Sequence, residues 1–212
     1  ARTGSTSPST IIVCQDNTMT AQLTIAANKN IILDLNGKRI NATSSGNVIN
    51  NNGNLEIRDS IGGGILTNTN SNTNTILNNK TLKIVGGTIE TINDTQRKQN
   101  GCTVYNANAG TIEITGGKLF VRHLSTTSAA NFGAFALINN SSYKAGPAVK
   151  ITGGTIEALG VESTCAYGIR NENTSEILIT GGTIKAVSEK REGYAIHSLN
   201  RENLVTIGTN DG

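Results

Sequence analysis

Tryptophan is absent from this chain of 212 residues, proline occurs only at Pro8 and Pro147, and three phenylalanines and four tyrosines complete the aromatic set. A core drawn from such a composition is aliphatic, built of Ile, Leu and Val, and thin. Apolar runs are short, nowhere near the roughly 18 to 20 residues a helix needs to span a bilayer, so no membrane span is predicted. Cys14, Cys102 and Cys165 lie far apart and form no Cys-x-x-Cys pair, which excludes a zinc motif and a disulfide framework and leaves buried free thiols as the reading. The formal net charge is only +3, with Lys and Arg scattered singly, so no nucleic acid partner is expected.

What the chain has instead is a repeat. LKIVGGTIET (82–91), IEITGGKLFV (112–121), VKITGGTIEA (149–158) and ILITGGTIKA (177–186) are near-copies of one phrase, and a repeat is read before any single residue. Each copy alternates apolar and polar residues at period two, the signature of a half-buried strand. In the third copy Val149, Ile151, Ile156 and Ala158 take one side, and Lys150, Thr152, Thr155 and Glu157 the other. The glycine pair between them is predicted to turn a corner in an unusual backbone conformation, with the apolar side still inward. Weaker copies stand at ILDLNGKRI (32–40) and LEIRDSIGGGIL (55–66), and LVTIG (204–208) begins another.

A second, shorter strand precedes each copy and ends in Asn: Val48 to Asn50, Ile76 to Asn78, Val104 to Asn106, Leu137 to Asn139, Ile169 to Asn171, then Ile196 to Ser198. The Asn positions follow at intervals of 28, 28, 33 and 32 residues, so one turn of a solenoid takes about thirty residues plus loop insertions. About six turns are expected, in a rod on the order of 30 Å long. The Asn column reads as a ladder, because an amide can donate to one neighbour and accept from the other. Two positions before the inward aliphatic stand Phe135, Tyr167 and Tyr194, predicted to stack inside one corner, with Cys102 in the same slot one turn earlier. Glu56, Lys83, Glu113 and Lys150 form an outer column of alternating sign that stabilises its own stacking. Six Asn-x-Ser/Thr sequons, at Asn41, Asn79, Asn93, Asn139, Asn140 and Asn173, read as accidents of an Asn- and Thr-rich composition.

These turns, corners and Asn residues resemble the right-handed parallel β-helix, the pectate-lyase-like fold. The stretch 10–40, with its Leu-Asp-Leu-Asn-Gly-Lys phrase at Leu33 to Lys38, resembles the opening of large repetitive bacterial surface proteins, and TIGTNDG (206–212) resembles a phrase recurring between their turns. The resemblance implies an all-β, right-handed β-solenoid as a single domain over 11–212, after a flexible N-terminal segment at 1–10. It also implies an extracellular or cell-surface location. The chain opens on Ala1 and stops within a repeat, so it is expected to be a mature product or an excised segment.

Many β-helix relatives cut polysaccharides, and the chemistry for that can be sought directly. Inverting glycosidases need carboxylates grouped on one face with room for water between them. Asp16, Asp34, Asp59, Asp94 and Asp211 are isolated, and only Asp34 aligns, loosely, with Glu56. A lyase would want convergent carboxylates for Ca²⁺ and a nearby basic residue. The doubled glycines lack phosphate-loop spacing. The Thr columns, Thr115 with Thr152 and Thr180 and Thr155 with Thr183, are interrupted as an ice-binding array by Glu90, Lys118 and Lys185. The best polar cluster is the outward column Tyr105, Ile138, Arg170 and His197, in which Arg170 and His197 could bind a carboxylate or sulfate. His123 falls in a long insertion without a visible partner.

The expectation is therefore a non-enzymatic extracellular module, an adhesin, stalk or surface scaffold, with no cofactor and no metal. Its partner would be a host or cell-surface glycan or protein, bound at the ridge formed by the insertions 92–101 and 122–133. End-to-end self-association into a filament, and a polysaccharide lyase or glycoside hydrolase with an atypical site, are the alternatives.

Overall fold

A computed structural model describes residues 7–43, 45–70, 73–93, 101–125, 133–162, 164–199 and 205–208. Among them are twenty strands, β1 to β20 in chain order, and no helix. The expected N-terminal flexible segment lies in part outside the described residues; the first strand begins at Ser9.

All strand pairings are parallel, because each turn of chain returns to run beside the previous one in the same direction. One sheet stacks seven strands: β3 (Leu23–Ile25), β6 (Ile49–Asn51), β9 (Asn74–Asn78), β12 (Gly101–Asn106), β15 (Gly133–Asn139), β17 (Cys165–Asn171) and β19 (Gly193–Ser198). A second, larger sheet carries two further stacks. The first runs β1 (Ser9–Ile12), β4 (Asn30–Asp34), β7 (Asn54–Arg58), β10 (Thr81–Ile84) and β13 (Thr111–Ile114). The other runs β2 (Asn17–Met19), β5 (Arg39–Ala42), β8 (Ile65–Asn68), β11 (Thr88–Asn93) and β14 (Lys118–Ser125). Both join in β16 (Val149–Glu162) and β18 (Ile177–Ser188), which run unbroken through the glycine corner; β20 (Val205–Ile207) pairs with the start of β18. The chain is an all-β parallel solenoid.

The core lies between the three stacks and is aliphatic, as the composition requires. Leu82, Ile84, Ile112, Ile114, Val149 and Ile151 fill it from one stack, Leu66, Ile89, Leu119, Val121 and Ile156 from another, and Ile76, Val104, Leu137 and Ile169 from the smaller sheet. Each such side chain contributes about 1.5–3 kcal/mol on burial. At the corners Gly87, Gly117, Gly154 and Gly182 take φ of +79°, +75°, +80° and +89°. The glycine before each of the last three is demanded by proximity: a Cβ on Gly116 would sit 2.3 Å from the Val85 carbonyl oxygen of the turn beneath, one on Gly153 2.5 Å from that of Thr115, and one on Gly181 2.4 Å from that of Thr152. One glycine turns the strand and the other lets successive corners nest. The corner also shifts the pairing, so that Thr152 faces Gly181 rather than Thr180.

The Asn ladder runs along the inside of the opposite corner. Nδ2 of Asn51, Asn78, Asn106 and Asn139 donates to Oδ1 of Asn78, Asn106, Asn139 and Asn171 at 2.7, 2.8, 2.9 and 2.9 Å, and all five side chains are buried. The first rung differs from expectation by one residue. Val48 and Ile49 are both buried, Ile49 pairs with Ile76, and Asn51 rather than Asn50 enters the ladder. Asn50 instead accepts from Asn79 Nδ2 in a second, outer array that continues from Asn108 to Asn79. Buried sequon residues Asn93 and Asn139 are closed to glycosylation in the folded chain.

Candidate functional site

The column singled out in the sequence exists: Tyr105, Ile138, Arg170 and His197 are register partners on β12, β15, β17 and β19. The Cys102, Phe135, Tyr167 and Tyr194 slot is likewise in register, but it does not lie inside the aliphatic core. In β17, Ala166 and Ile169 face that core, while Tyr167 joins a separate cluster with Cys102, Phe135, Ile138 and Cys165. The rings therefore share the outer face of the smaller sheet with Arg170. Phe135 and Tyr167 stack at 4.8 Å and Tyr167 and Tyr194 at 5.4 Å, with planes 12° apart in both pairs. Gly133 makes the room, since its Cβ would come within 2.5 Å of the Phe135 ring.

The charges on this face answer one another, although Arg170 Nε and His197 Nδ1 are buried without a hydrogen-bond partner. Arg170 lies over the Phe135 and Tyr167 rings at 5.2 and 5.7 Å, and its Nε is 3.0 Å from Glu172 Oε1, close enough for an ion pair although not aligned as a hydrogen bond. His197 packs on Tyr194 and Tyr167, and burial together with the Arg170 charge holds its pKa below the ordinary value. The ring is thereby held neutral beside a cation whose charge Glu172 already answers. Tyr105, two turns away, accepts from Asn140 Nδ2 at 2.7 Å. Cys102 and Cys165 are buried, and burial pushes the Cys102 thiol far above its usual range. Cys14 departs from expectation and is exposed, because it follows β1, the last strand of its stack among the described residues.

His123 is placed differently from its sequence reading. It is a strand residue of β14, inward-facing and buried, paired in register with Asn93 on one side and Gly160 on the other. Asn93 Nδ2 lies 2.6 Å from His123 Nδ1, so the amide donates and the ring is neutral, and Nε2 is buried without a partner. Burial lowers the pKa from 6.5 to about 4. The unfolded chain takes up the proton first, so this stability is present in full above about pH 6.5 and is lost as pH falls toward 4. The loss is on the order of 2–3 kcal/mol. Urea unfolding at pH 7.5 and 4.5 is expected to show a larger drop for the native chain than for His123→Gln. Equal drops would refute it.

The carboxylates do structural work. Asp34 Oδ1 accepts from the backbone N–H groups of Asn36 and Ser60, and Oδ2 pairs with Arg58 at 3.1 Å. Burial opposes its charge, but these bonds outweigh it and the pKa falls. Asp34 pairs with Arg58 in register, and Glu56 with Ile32, so the loose Asp34–Glu56 alignment does not hold. Asp59 accepts from Gly37 and Gly64, and Asp16 from the Arg39 backbone. Asp94, Asp211 and most of the two long insertions lie outside the described residues. Among the described residues no group of three or more His, Cys, Asp or Glu could hold a metal ion, and no helix is long and apolar enough to cross a membrane.

One feature escaped the sequence altogether. The outer faces of β7, β10 and β13 form the floor of a groove, and the loop 140–148 forms its wall. A cavity of about 310 Å³ lies between Thr81, Lys83, Thr111, Glu113 and Lys150 on the floor and Tyr143 and Pro147 on the wall. A further 170 Å³ continues it past Thr81 and Lys83 to Asn30, Asn54 and Glu56. Ser141 Oγ and Ser142 Oγ brace the wall by donating to the Gly110 and Asn108 carbonyls, both at 2.7 Å, and Lys144 Nζ reaches the Thr174 carbonyl at 2.8 Å.

No family model, curated protein or solved structure matches this chain.

Proposed function

We propose that the chain is a rigid, non-enzymatic module of an extracellular or cell-surface protein, an adhesin, stalk or scaffold. The observation that supports this reading is where its polar groups are used. The Asn ladder, the Lys83–Glu113 pair at 3.3 Å and the Lys118–Glu157–Lys185 cluster at 2.6 and 3.5 Å all tie one turn to the next, and the described aspartates cap backbone N–H groups. Such turns are held each to its neighbours, and among the described residues no aspartates stand paired for glycosidic cleavage. The right-handed, pectate-lyase-like winding belongs to the same proposal, since crossovers between parallel strands of one sheet are right-handed in about 98% of cases. Incubation with a panel of uronan and neutral polysaccharides is expected to yield no new reducing ends and no unsaturated products. Either product would overturn the reading in favour of an enzyme.

A second reading is end-to-end self-association. Among the described residues the strands β3 and β19 stand at the ends of the smaller sheet, each paired on one side only, and Tyr194, last in the ring stack, is 38% exposed. A strict monomer in sedimentation velocity at rising concentration would remove it.

A further inference from the structure

We infer that His123 is an acid trigger set into one level of the rod: when its ring takes up a proton, β14 and β16 part at their C-terminal ends while the turns nearer the N-terminus stay closed. The seam does not depend on what the rod binds.

Its place is marked by the hydroxyls that line the corner where the chain passes from the larger sheet to the smaller one. Thr75 Oγ1 of β9 donates to the Glu90 carbonyl of β11 at 3.1 Å, Thr91 of β11 to that of Cys102 at 3.1 Å, and Thr103 of β12 to that of Phe120 in β14 at 2.7 Å. Each ties one sheet to the other. One and two turns on, the position of Thr75 and Thr103 is taken by Ala136 and Gly168, which have no hydroxyl to give. Among the described residues the ties resume at Ser188 Oγ, which donates to the Thr164 carbonyl at 2.7 Å. In the interval stand two buried polar atoms without a partner, His123 Nε2 and Thr164 Oγ1. Both residues border Gly160, which pairs with His123 in register and whose Cβ would meet the Thr164 carbonyl oxygen at 2.2 Å. A glycine there, with Ala158 and Ala166 at the inward positions beside it in the chain, leaves little apolar surface to hold the two turns together.

A proton on His123 meets no counter-charge. Nδ1 accepts from Asn93, so the incoming proton must take that lone pair and break the 2.6 Å bond. The residues facing the ring from β11 and β16 are Asn93 and Gly160, and neither titrates. The titratable groups of the strands packed against β14 lie on outer faces: Glu90 of β11, Cys102 and Tyr105 of β12, and Lys150, Glu157 and Glu162 of β16. β15 has none, and Lys118 and Arg122 of β14 itself alternate outward. An imidazolium here is a buried, unanswered cation, relieved when the seam admits water.

The test is hydrogen exchange of the full chain, read by mass spectrometry at pH 7.5 and 5.0 and corrected for the intrinsic rate at each pH. The fraction of time that segments 118–125 and 155–162 stand open is expected to rise about thirtyfold in acid, while 31–34 and 55–58 stay unchanged. That ratio follows from a ring that titrates at 6.5 in water and at about 4 when buried. His123→Gln should remove the rise. His197 is the other histidine of the chain, so His197→Gln is the control and should keep it. If His123→Gln does not fold, the His197→Gln chain decides, because its opening must then grow about eightfold between pH 6.0 and 5.0, where carboxylates are already ionised. An equal rise in all four segments, no rise, or a rise that survives His123→Gln overturns the seam.

Discussion

Asn106→Leu is expected to lower the free energy of unfolding by about 3–5 kcal/mol, more than any substitution on the outer faces. Asn106 is a central rung. Its Oδ1 accepts from Asn78, and its Nδ2 donates to Asn139 Oδ1 and to the Gly110 carbonyl. Leucine is close in size, so the loss is not mainly one of packing. It removes both neighbours' partners at once in a site where water cannot replace them, and each orphaned buried group costs about 1–3 kcal/mol. Asn79 gives the comparison: it too bonds to the turns beside it, donating to Asn50 and Asn52 and accepting from Asn108, but on the half-exposed outside. Asn79→Leu should cost about 1 kcal/mol or less, since solvent takes over its bonds. Turns in a solenoid hold only their neighbours, so a cut mid-ladder should also split the urea transition into two steps. A single unshifted transition for Asn106→Leu would show that the ladder is not a source of stability.

The contrast between those two asparagines also marks how far the sequence could be read. Period two and the glycine pairs made the strands, corners and aliphatic core legible, because burial on one face leaves a mark at every second residue. The phase failed where two successive residues turn inward. Thr75 with Ile76, Thr103 with Val104, and Ala136 with Leu137 are all fully buried. Counting back by two from the aliphatic residue therefore lands outside the core, and the Phe135–Tyr167–Tyr194 stack belongs to the outer face for that reason. The same doubling at Val48 and Ile49 displaced the first ladder rung. His123 was misplaced because β14 continues to Ser125, beyond the end of its repeat phrase. The groove could not be read at all: Tyr143 and Lys150 become neighbours only when an insertion folds back over the face of the next strand. The polar column Tyr105, Arg170 and His197 was legible as a register, and its ion pairing with Glu172 and ring contacts were not.

Alanine at the glycine corners is expected to separate two costs that the sequence presents as one motif. Gly63, with φ +83°, has no atom within 4 Å of where a Cβ would stand, so Gly63→Ala carries only the left-handed backbone penalty, about 1–2 kcal/mol. Gly116 does not have a positive φ, but its Cβ would meet the Val85 carbonyl oxygen at 2.3 Å, and backbone cannot yield as a side-chain end can. Gly116→Ala must therefore push apart two turns, at a cost of about 2–4 kcal/mol. Gly154 combines both, with φ +80° and a Cβ 2.8 and 2.9 Å from the carbonyl oxygens of Gly116 and Gly117. Gly154→Ala should exceed either alone, at about 4 kcal/mol or more. Urea midpoints should fall in the order Gly63→Ala, Gly116→Ala, Gly154→Ala, with the last two also opening the amides of Val85 and Thr115 to hydrogen exchange, since those bond to the turn beneath. If Gly63→Ala proved as costly as Gly154→Ala, backbone conformation alone would account for the doubled glycine, and the close nesting of corners would have no energetic role.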